Sequence, residues 1–330
     1  MTTHAVIGTG YWGTNHVRVG AELVEDGLLD EIVLCDVAEQ RVNELANSYD
    51  VEYTTDHSNL IEYGIDTAVI ASPSTTHHQI ATDLLEEGIH CLVEKPLALN
   101  SADAWEIVQT AQTNSSILGV GHIFRYHPAL RELKKRIDRG ELGRIKYLTT
   151  NRYTFREPRA TTGVLYSLAV HDVDIYNYLM ESAPKSVYCT LDSHIRENID
   201  ETASLILEYP DATGVINESW QVPVFGKKRD LVVVGTERAA YIDYLADTEL
   251  ELFDAKIVND GNTLRSRNEG STTYEVEGYE PLKMEIEAFV EAAHNNKNPP
   301  ASGRVGAETV ELLEYAQKSD ASNEVINLDR

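Results

Sequence analysis

Short apolar runs alternate with longer amphipathic runs along the first 121 residues of the chain. The apolar runs read as buried strands, and the amphipathic runs repeat their apolar residues at helical spacing. The predicted strands are His4–Gly8, Glu31–Asp36, Thr67–Ser72, His90–Val93 and Ile117–Gly121, and the predicted helices are Trp12–Glu25, Ala38–Tyr49, Thr76–Glu87 and Ala102–Gln112. This alternation predicts an α/β fold with a doubly wound parallel sheet that helices cover on both faces.

The pattern changes after about residue 122, where alternating runs follow one another through Gly, Pro and Asp turns. Such runs predict a large, mostly antiparallel open sheet, here within an α+β domain. Its predicted strands are Ile145–Phe155, Ser186–Leu191, Ala203–Tyr209, Thr213–Val222, Asp230–Val234 and Ala239–Tyr244, and its helices are Pro128–Arg139, Val164–Met180, Leu282–Asn295 and Gly306–Lys318. Residues 259–273 are polar and rich in Gly, Ser and Asn, which predicts a loop.

This change of pattern predicts two domains, because 330 residues are many for a single hydrophobic core. We expect the first domain over residues 1–122 and the second over residues 123–330. The last helix, about 306–318, either belongs to the second domain or packs back on the first, and the sequence leaves both alternatives open.

The net charge of −26 comes from 54 acidic and 28 basic residues spread along the chain. Nucleic acid and anionic membranes attract basic surfaces, so neither is expected as a partner. The start of the chain lacks the basic segment of a signal peptide, and a cytoplasmic protein is expected. The cysteines Cys35, Cys91 and Cys189 lack the spacing of a zinc site, so neither a metal nor a disulfide is expected.

The segment Gly8–Gly13 has the GxGxxG spacing of a phosphate-binding loop between a strand and a helix. In such loops the glycines allow a tight turn and a close approach of the backbone to a pyrophosphate, which the helix N-terminus also attracts. The residues predicted to contact the cofactor here are Gly8, Gly10, Tyr11, Trp12 and Gly13. The first domain is therefore predicted to be a Rossmann domain that binds NAD(P).

Asp36 ends the second predicted strand, 23 residues after Gly13. A carboxylate at this place accepts hydrogen bonds from the adenosine ribose and repels a 2′-phosphate. The sequence therefore favours NAD, although NADP stays open because Arg41 is nearby.

Two polar segments follow later strands of the same domain, at the edge where open α/β sheets bind ligands. Ser72, Pro73 and His77 come after the third strand, and Glu94-Lys95-Pro96 comes after the fourth. The proline biases Lys95 towards an extended conformation. We predict that Ser72, Pro73, His77, Glu94 and Lys95 border the cofactor.

With these motifs in this order, the chain resembles the Gfo/Idh/MocA family, which includes glucose–fructose oxidoreductase and inositol dehydrogenase. The resemblance covers nearly the whole chain and extends through Gly121–Pro128 and Gly163–Asp174. It implies hydride transfer between a sugar or cyclitol carbinol carbon and a nicotinamide cofactor. It also implies that the second domain binds the substrate and pairs through its sheet into a homodimer or homotetramer.

The same resemblance implies two catalytic residues, Lys95 and His171. Lys95 would hydrogen-bond the reacting hydroxyl, and His171 would take its proton, as an imidazole can near neutral pH. The family commonly has an aspartate four residues before this histidine, where the present chain has Ser167. The proton relay is then shorter, or Tyr166, His122 or Asp174 assists it.

Arg152, Arg156 and Arg159 cluster within eight residues of a strongly acidic chain. Arginine forks fit carboxylate and phosphate oxygens, which favours an anionic substrate, and pairing with surface acids is the alternative. We expect Arg125, Arg152, Arg156, Lys95 and His171 to contact the substrate.

The segments around Arg125 and His171 are most similar to the branch of the family that acts on UDP-N-acetylhexosamines. Oxidation at C3 of such a nucleotide sugar is therefore the first hypothesis. The alternative substrate is a free sugar, a sugar acid or inositol. A non-catalytic NAD(P)-binding sensor is the alternative of another class, which the loss of the aspartate at Ser167 favours.

Overall fold

The computed structural model describes residues 2–224, 226–246, 248–261 and 263–328. The chain divides into two compact units. Unit 1 contains the residues up to Ile123 together with Glu280–Glu311, and unit 2 contains Phe124–Tyr279 together with the residues from Leu312 onwards.

A six-stranded sheet forms the centre of unit 1, and all its strand pairs are parallel. The strands are β1 (Thr3–Ile7), β2 (Glu31–Cys35), β3 (Glu52–Thr54), β4 (Thr67–Ile70), β5 (His90–Val93) and β6 (Leu118–Val120), and the first helices are α1 (Gly13–Glu25), α2 (Glu39–Tyr49), α3 (His77–Glu86) and α4 (Ser101–Thr113). Their order, β3-β2-β1-β4-β5-β6, is that of a Rossmann sheet with its switch point between β1 and β4. The predicted parallel sheet is confirmed, with β3 as an additional short strand.

Two apolar clusters form the core of unit 1, because alternate residues of a buried strand point to opposite faces of the sheet. On β1, Ala5 and Ile7 belong to one cluster and Val6 belongs to the other.

A nine-stranded sheet forms the centre of unit 2. Its strands are β7 (Ile145–Tyr153), β8 (Ser186–Asp192), β9 (Thr202–Glu208), β10 (Thr213–Ser219), β11 (Lys228–Gly235), β12 (Ala239–Asp243), β13 (Glu249–Asp260), β14 (Thr263–Glu275) and β15 (Ile326–Asn327), in the order β14-β13-β12-β11-β7-β10-β9-β8-β15. The pair β7–β10 is parallel and the other pairs are antiparallel. The prediction of a mostly antiparallel sheet is confirmed.

The predicted loop over residues 259–273 is wrong, because this segment contains the end of β13 and most of β14. Nearly all side chains of β14 are exposed on both faces, so the strand carries no apolar alternation. Backbone pairing with β13 holds it in place at the edge of the sheet.

Unit 2 also contains α5 (Pro128–Asp138) and α6 (Val170–Met180). A single helix was predicted over 164–180, whereas a π-helical segment, Leu165–Ala169, precedes α6 in the structure. π-Helical turns occur frequently at functional sites.

The last helices are α7 (Pro281–His294) and α8 (Gly303–Ser322). Residues 280–311 lie in unit 1, whereas the sequence pattern places the residues before about 306 in the second domain and leaves the last helix open between the two domains. On α7, Ile286 and Phe289 pack into the same apolar cluster as Val6 of β1, and Val310 of α8 belongs to the opposite cluster. Among the described residues, no helix is both long and apolar enough to cross a membrane.

Candidate active site

The phosphate loop connects β1 to α1 and has two places where only glycine fits. Gly8 has a φ of +89°, and a Cβ atom there would lie 2.6 Å from the backbone nitrogen of Ser72, which follows β4. A Cβ atom on Gly13 would lie 1.7 Å from the carbonyl oxygen of Gly8. Because these two residues have no side chain, the backbone of the loop can lie close to the residue after β4 and to the start of α1.

Gly10 differs from both, because a Cβ atom there would meet no atom within 4 Å. Open space at the middle glycine, beside the start of a helix, is what a pyrophosphate needs to reach the backbone N–H groups. A cavity of about 490 Å³ begins at this point and is lined by Thr9, Gly10, Tyr11, Thr14, Arg41, Glu44, Leu45 and Ser48.

Asp36 stands directly after β2 and binds the phosphate loop. Its Oδ2 atom accepts hydrogen bonds from the backbone N–H of Thr9 at 2.7 Å and from the Thr9 hydroxyl at 3.0 Å, and Arg41 donates to both carboxylate oxygens. Burial alone would raise the pKa of Asp36, but the hydrogen bonds from Ala38, Arg41 and Thr9 lower it overall. An ionised acceptor therefore stands at the end of β2.

These features fit an NAD molecule. The glycines leave room for the pyrophosphate at Gly10, the cavity offers room for the adenosine half, and the Asp36 carboxylate can accept from a ribose hydroxyl. Arg41, whose side chain is half exposed, is the cation nearest to that carboxylate.

His77 joins the two polar segments that follow β4 and β5. Its Nδ1 atom lies 2.9 Å from the carbonyl oxygen of Pro96, and its Nε2 atom lies 3.0 Å from the carbonyl oxygen of Ser72. The side chain is buried, and burial lowers its pKa although both carbonyl oxygens act to raise it. His77 therefore holds the loop of Ser72 and the loop of Lys95 together.

Glu94 connects the phosphate loop to Lys95. One carboxylate oxygen accepts from the indole N–H of Trp12 at 2.5 Å and lies 2.9 Å from Nε2 of His16, and the other accepts from the backbone N–H of Lys95 at 3.2 Å. A Cβ atom on Gly121 would lie 2.8 Å from this carboxylate, so that residue must be glycine.

The Glu94 carboxylate is ionised as a result of these contacts. Burial alone would raise its pKa, but the hydrogen bonds from His16 and Trp12 and the charge of Lys95 lower it overall. Sequence reasoning missed His16, although it lies one helical turn after Trp12 and so on the same face of α1.

In unit 2, His171 lies half-buried in the first turn of α6. The ring of Phe124 meets its imidazole edge-on, with 5.0 Å between the ring centroids. The following Asp172 and Asp174 are buried, and each is bound by an arginine: Arg152 donates to Asp172, and Arg125 donates to Asp174. Sequence reasoning gave Asp172 no role.

The predicted substrate-binding arginines thus occupy different environments. Arg152 is 2% exposed and its fork is bound to Asp172. Arg125 is mostly buried and forms a forked pair with Asp174. Arg156 is exposed and lies 5.7 Å from the ring centroid of Trp220.

Ser167, at the position where the family commonly has aspartate, is buried and donates a hydrogen bond to the hydroxyl of Thr162 at 3.2 Å. A carboxylate approaches this segment from elsewhere in unit 2, since Asp200 accepts from the backbone N–H of Leu165 at 2.7 Å. A Cβ atom on Gly163 would lie 1.9 Å from the Asp200 carboxylate. Asp200 therefore caps the start of the π-helical segment.

Two family models match the chain. The oxidoreductase family with an NAD-binding Rossmann fold, GFO_IDH_MocA, matches residues 2–122, and the GFO/IDH/MocA C-terminal domain matches residues 130–241. The chain belongs to the Gfo/Idh/MocA family. It is therefore an oxidoreductase, and the predicted NAD cofactor is confirmed.

Curated Gfo/Idh/MocA relatives are similar over most of the chain. A myo-inositol 2-dehydrogenase from Thermotoga maritima is 26% identical over 95% of this chain and 94% of its own length. A UDP-N-acetylglucosamine 3-dehydrogenase from Acidithiobacillus ferrooxidans is 27% identical over 74% of each chain.

Solved structures of the family share the fold. A levoglucosan dehydrogenase in complex with NADH and levoglucosan superimposes with a TM-score of 0.87 at 19% identity, and the match covers 100% of both chains. The UDP-N-acetylglucosamine 3-dehydrogenase of A. ferrooxidans superimposes with a TM-score of 0.83 at 22% identity over 97% of both chains.

Proposed function

We propose that the protein oxidises a secondary alcohol of a sugar or polyol and that NAD accepts the hydride. The observation that carries this proposal is the Glu94 carboxylate, which binds both Trp12 of the phosphate loop and the backbone of Lys95. This bridge ties the residue proposed for the chemistry to the loop proposed for the pyrophosphate. The relatives named as inositol and UDP-sugar dehydrogenases support the class of substrate.

Lys95 and His171 are the proposed catalytic residues. The Lys95 ammonium would hydrogen-bond the reacting hydroxyl and stabilise the negative charge that develops on its oxygen. The His171 imidazole would take the hydroxyl proton while hydride leaves the carbinol carbon. Gly8, Gly10, Tyr11, Trp12, Gly13, Asp36, Ser72, Pro73, His77 and Glu94 would surround the cofactor.

For the substrate, we propose a UDP-N-acetylhexosamine that is oxidised at C3. The UDP-N-acetylglucosamine 3-dehydrogenase relative supports this choice, and the exposed guanidinium of Arg156 offers a partner for a diphosphate. A free sugar or inositol is the second candidate, which the myo-inositol 2-dehydrogenase relative favours.

The test is to incubate the protein with NAD and a panel of UDP-sugars, free sugars and inositols while NADH absorbance is followed. We expect turnover of a UDP-N-acetylhexosamine, and a loss of at least about 100-fold in kcat for Lys95→Met, because removing one charge-stabilising donor has an effect of this size. Lys146→Met, a change of an exposed lysine on β7, is the control and should retain wild-type kcat.

Turnover of inositol alone would replace the proposed substrate. Full activity of Lys95→Met would contradict the mechanism. NAD binding without turnover of any compound would favour the sensor alternative, for which Ser167 in place of aspartate is the supporting observation.

We also propose that the protein forms a homodimer or homotetramer through the nine-stranded sheet. Tyr147 on β7 and Ile206 on β9 are 38% and 46% exposed on this sheet, and exposed apolar side chains on a sheet favour a partner. Sedimentation equilibrium should give two or four chains, and Ile206→Lys should lower that number. A monomer at every protein concentration would contradict the proposal.

A further inference from the structure

The first two turns of α6 are anchored by two forked ion pairs within unit 2. Asp172 accepts hydrogen bonds from Nε and Nη2 of Arg152, which lies on β7. Asp174 accepts from Nε and Nη2 of Arg125 at distances of 2.7 to 3.0 Å. Forked pairs fix orientation as well as distance. They therefore fix the helical turn that carries His171.

Arg152 also reaches His171 through an aromatic ring. Its guanidinium carbon lies 4.4 Å from the ring centroid of Phe124, which is the ring that meets His171 edge-on. Tyr244 packs against Phe124 with 5.0 Å between the ring centroids and lies 5.2 Å from the same guanidinium. The imidazole of His171 thus contacts a ring that a buried cation holds in place.

This part of the chain needs such anchoring because the backbone before α6 is irregular. The π-helical segment Leu165–Ala169 interrupts the regular i→i−4 hydrogen bonds immediately before α6 begins at Val170. The start of α6, which carries His171, therefore depends on contacts from other elements for its direction.

Stability alone does not account for the pair of Arg152 and Asp172. Desolvation of two buried charges commonly offsets their attraction, and apolar residues of the same volume often stabilise a fold as well or better. The strands beside β7 carry further charges at this point, since Glu218 of β10 and Arg229 of β11 are the register partners of Arg152. A charged group here is better explained by the orientation it imposes.

We infer that Arg152 is a positioning residue for the reaction rather than a substrate ligand. It holds Asp172 and Phe124 so that the His171 imidazole keeps the orientation in which it accepts the hydroxyl proton. The inference rests on the proposed function, because it assigns the base to His171. Lysine cannot replace Arg152, because an ammonium group lacks the planar fork and stacks less well on a ring.

Arg152→Lys tests the inference, with Arg238→Gln as the matched control. Arg238 pairs with Asp254 in the same unit, but both side chains are more than one-third exposed. For Arg152→Lys we expect kcat to fall by about 10- to 100-fold, because small misplacements of catalytic groups lower rates by this order. The KM of the sugar and the Kd of NAD should change by less than about twofold, as should every constant of the control.

A second variant guards against loss of folding, because Arg152→Lys perturbs a buried charge pair. Arg152→Gln with Asp172→Asn removes both charges and leaves neither uncompensated. A lowered kcat with an unchanged KM in this folded variant supports the inference. Wild-type kcat in either variant overturns it, and so does a loss that falls on KM alone, which would indicate direct substrate binding by Arg152.

A readout without turnover separates this inference from the proposed function. The ¹³Cε1 resonance of His171 can be assigned by its disappearance in His171→Asn. It should shift in Arg152→Lys and stay in place in Arg238→Gln. An unmoved resonance contradicts the positioning role while the oxidoreductase proposal stands. If the resonance shifts in Arg152→Lys while the wild-type protein oxidises none of the panel, the proposed substrates are contradicted and the link between Arg152 and His171 is supported.

Discussion

His4 shows at the scale of one residue how burial sets the chemistry of a titratable group. It lies on β1 with no exposed surface, and its Nδ1 atom is 2.8 Å from the hydroxyl oxygen of Thr67. Burial lowers its pKa to about 3, with a further contribution from His16. The imidazole is therefore neutral in the folded protein at pH values well above about 3.

This lowered pKa makes stability depend on pH. An imidazole in the unfolded chain binds a proton below about pH 6.5, whereas His4 in the folded chain does not. Its contribution is therefore complete above pH 6.5 and is lost as the pH falls, by about 1.4 kcal/mol for each pH unit.

We predict that His4→Gln reduces the pH dependence of unfolding. Between pH 7 and pH 5, the free energy of unfolding should fall by about 2 kcal/mol more in the wild type than in the variant. Urea denaturation at both pH values measures the difference, and His194→Gln, a change of an exposed histidine, is the control. Equal pH dependence in the wild type and in His4→Gln would contradict the assignment.

Burial also decides which predicted site residues can meet a ligand. Arg152, Arg156 and Arg159 look alike in the sequence, but the structure buries the first against Asp172 and exposes the other two. The sequence separates Arg152 from Asp172 by 20 residues and His16 from Glu94 by 78. Only the tertiary fold brings such pairs together, so they could not be predicted from local pattern.

At the scale of elements, the phosphate loop offers a direct test, because its glycines differ in what surrounds them. Gly13→Ala should destabilise the protein by about 1–3 kcal/mol, since its Cβ would overlap the carbonyl oxygen of Gly8. Gly10→Ala should keep the thermal unfolding midpoint within a few degrees of that of the wild type, because the added Cβ atom would meet no other atom within 4 Å.

Gly10→Ala should weaken NADH binding although it leaves the stability of the protein almost unchanged. The added methyl group of Gly10→Ala would occupy the space proposed for the pyrophosphate, so we expect NADH affinity to fall at least about tenfold, or by about 1.4 kcal/mol. Fluorescence titration with NADH measures it. If Gly10→Ala binds NADH as tightly as the wild type, the cofactor does not lie at this loop.

Elements could be predicted from the sequence where the pattern of one segment determines them. Buried parallel strands are short apolar runs, and β5 was predicted with the bounds it has in the structure. The exposed edge strand β14 and the π-helical segment before α6 could not be predicted, because pairing with β13 forms the former and a tertiary contact with Asp200 supports the latter. Each motif of the proposed cofactor site lies within one short segment of the chain, and so it could be recognised from the sequence.

At the scale of the whole molecule, the residues proposed for function are divided between the two units. Unit 1 holds the phosphate loop, Asp36 and Lys95, and unit 2 holds His171 with its anchoring ion pairs. The assignment of α7 to unit 1 follows from its packing in the apolar cluster that contains Val6.

The central claim is hydride transfer from a carbinol carbon to NAD, and isotope transfer tests it most directly. The substrate identified by the panel is deuterated at the carbon to be oxidised and incubated with the wild-type protein and NAD in ordinary water, and the reduced cofactor is analysed by mass spectrometry. Hydride transfer predicts one deuterium atom in the nicotinamide ring of every reduced cofactor formed, with Lys95→Met forming this labelled cofactor at least about 100-fold more slowly. Reduced cofactor without deuterium would contradict it.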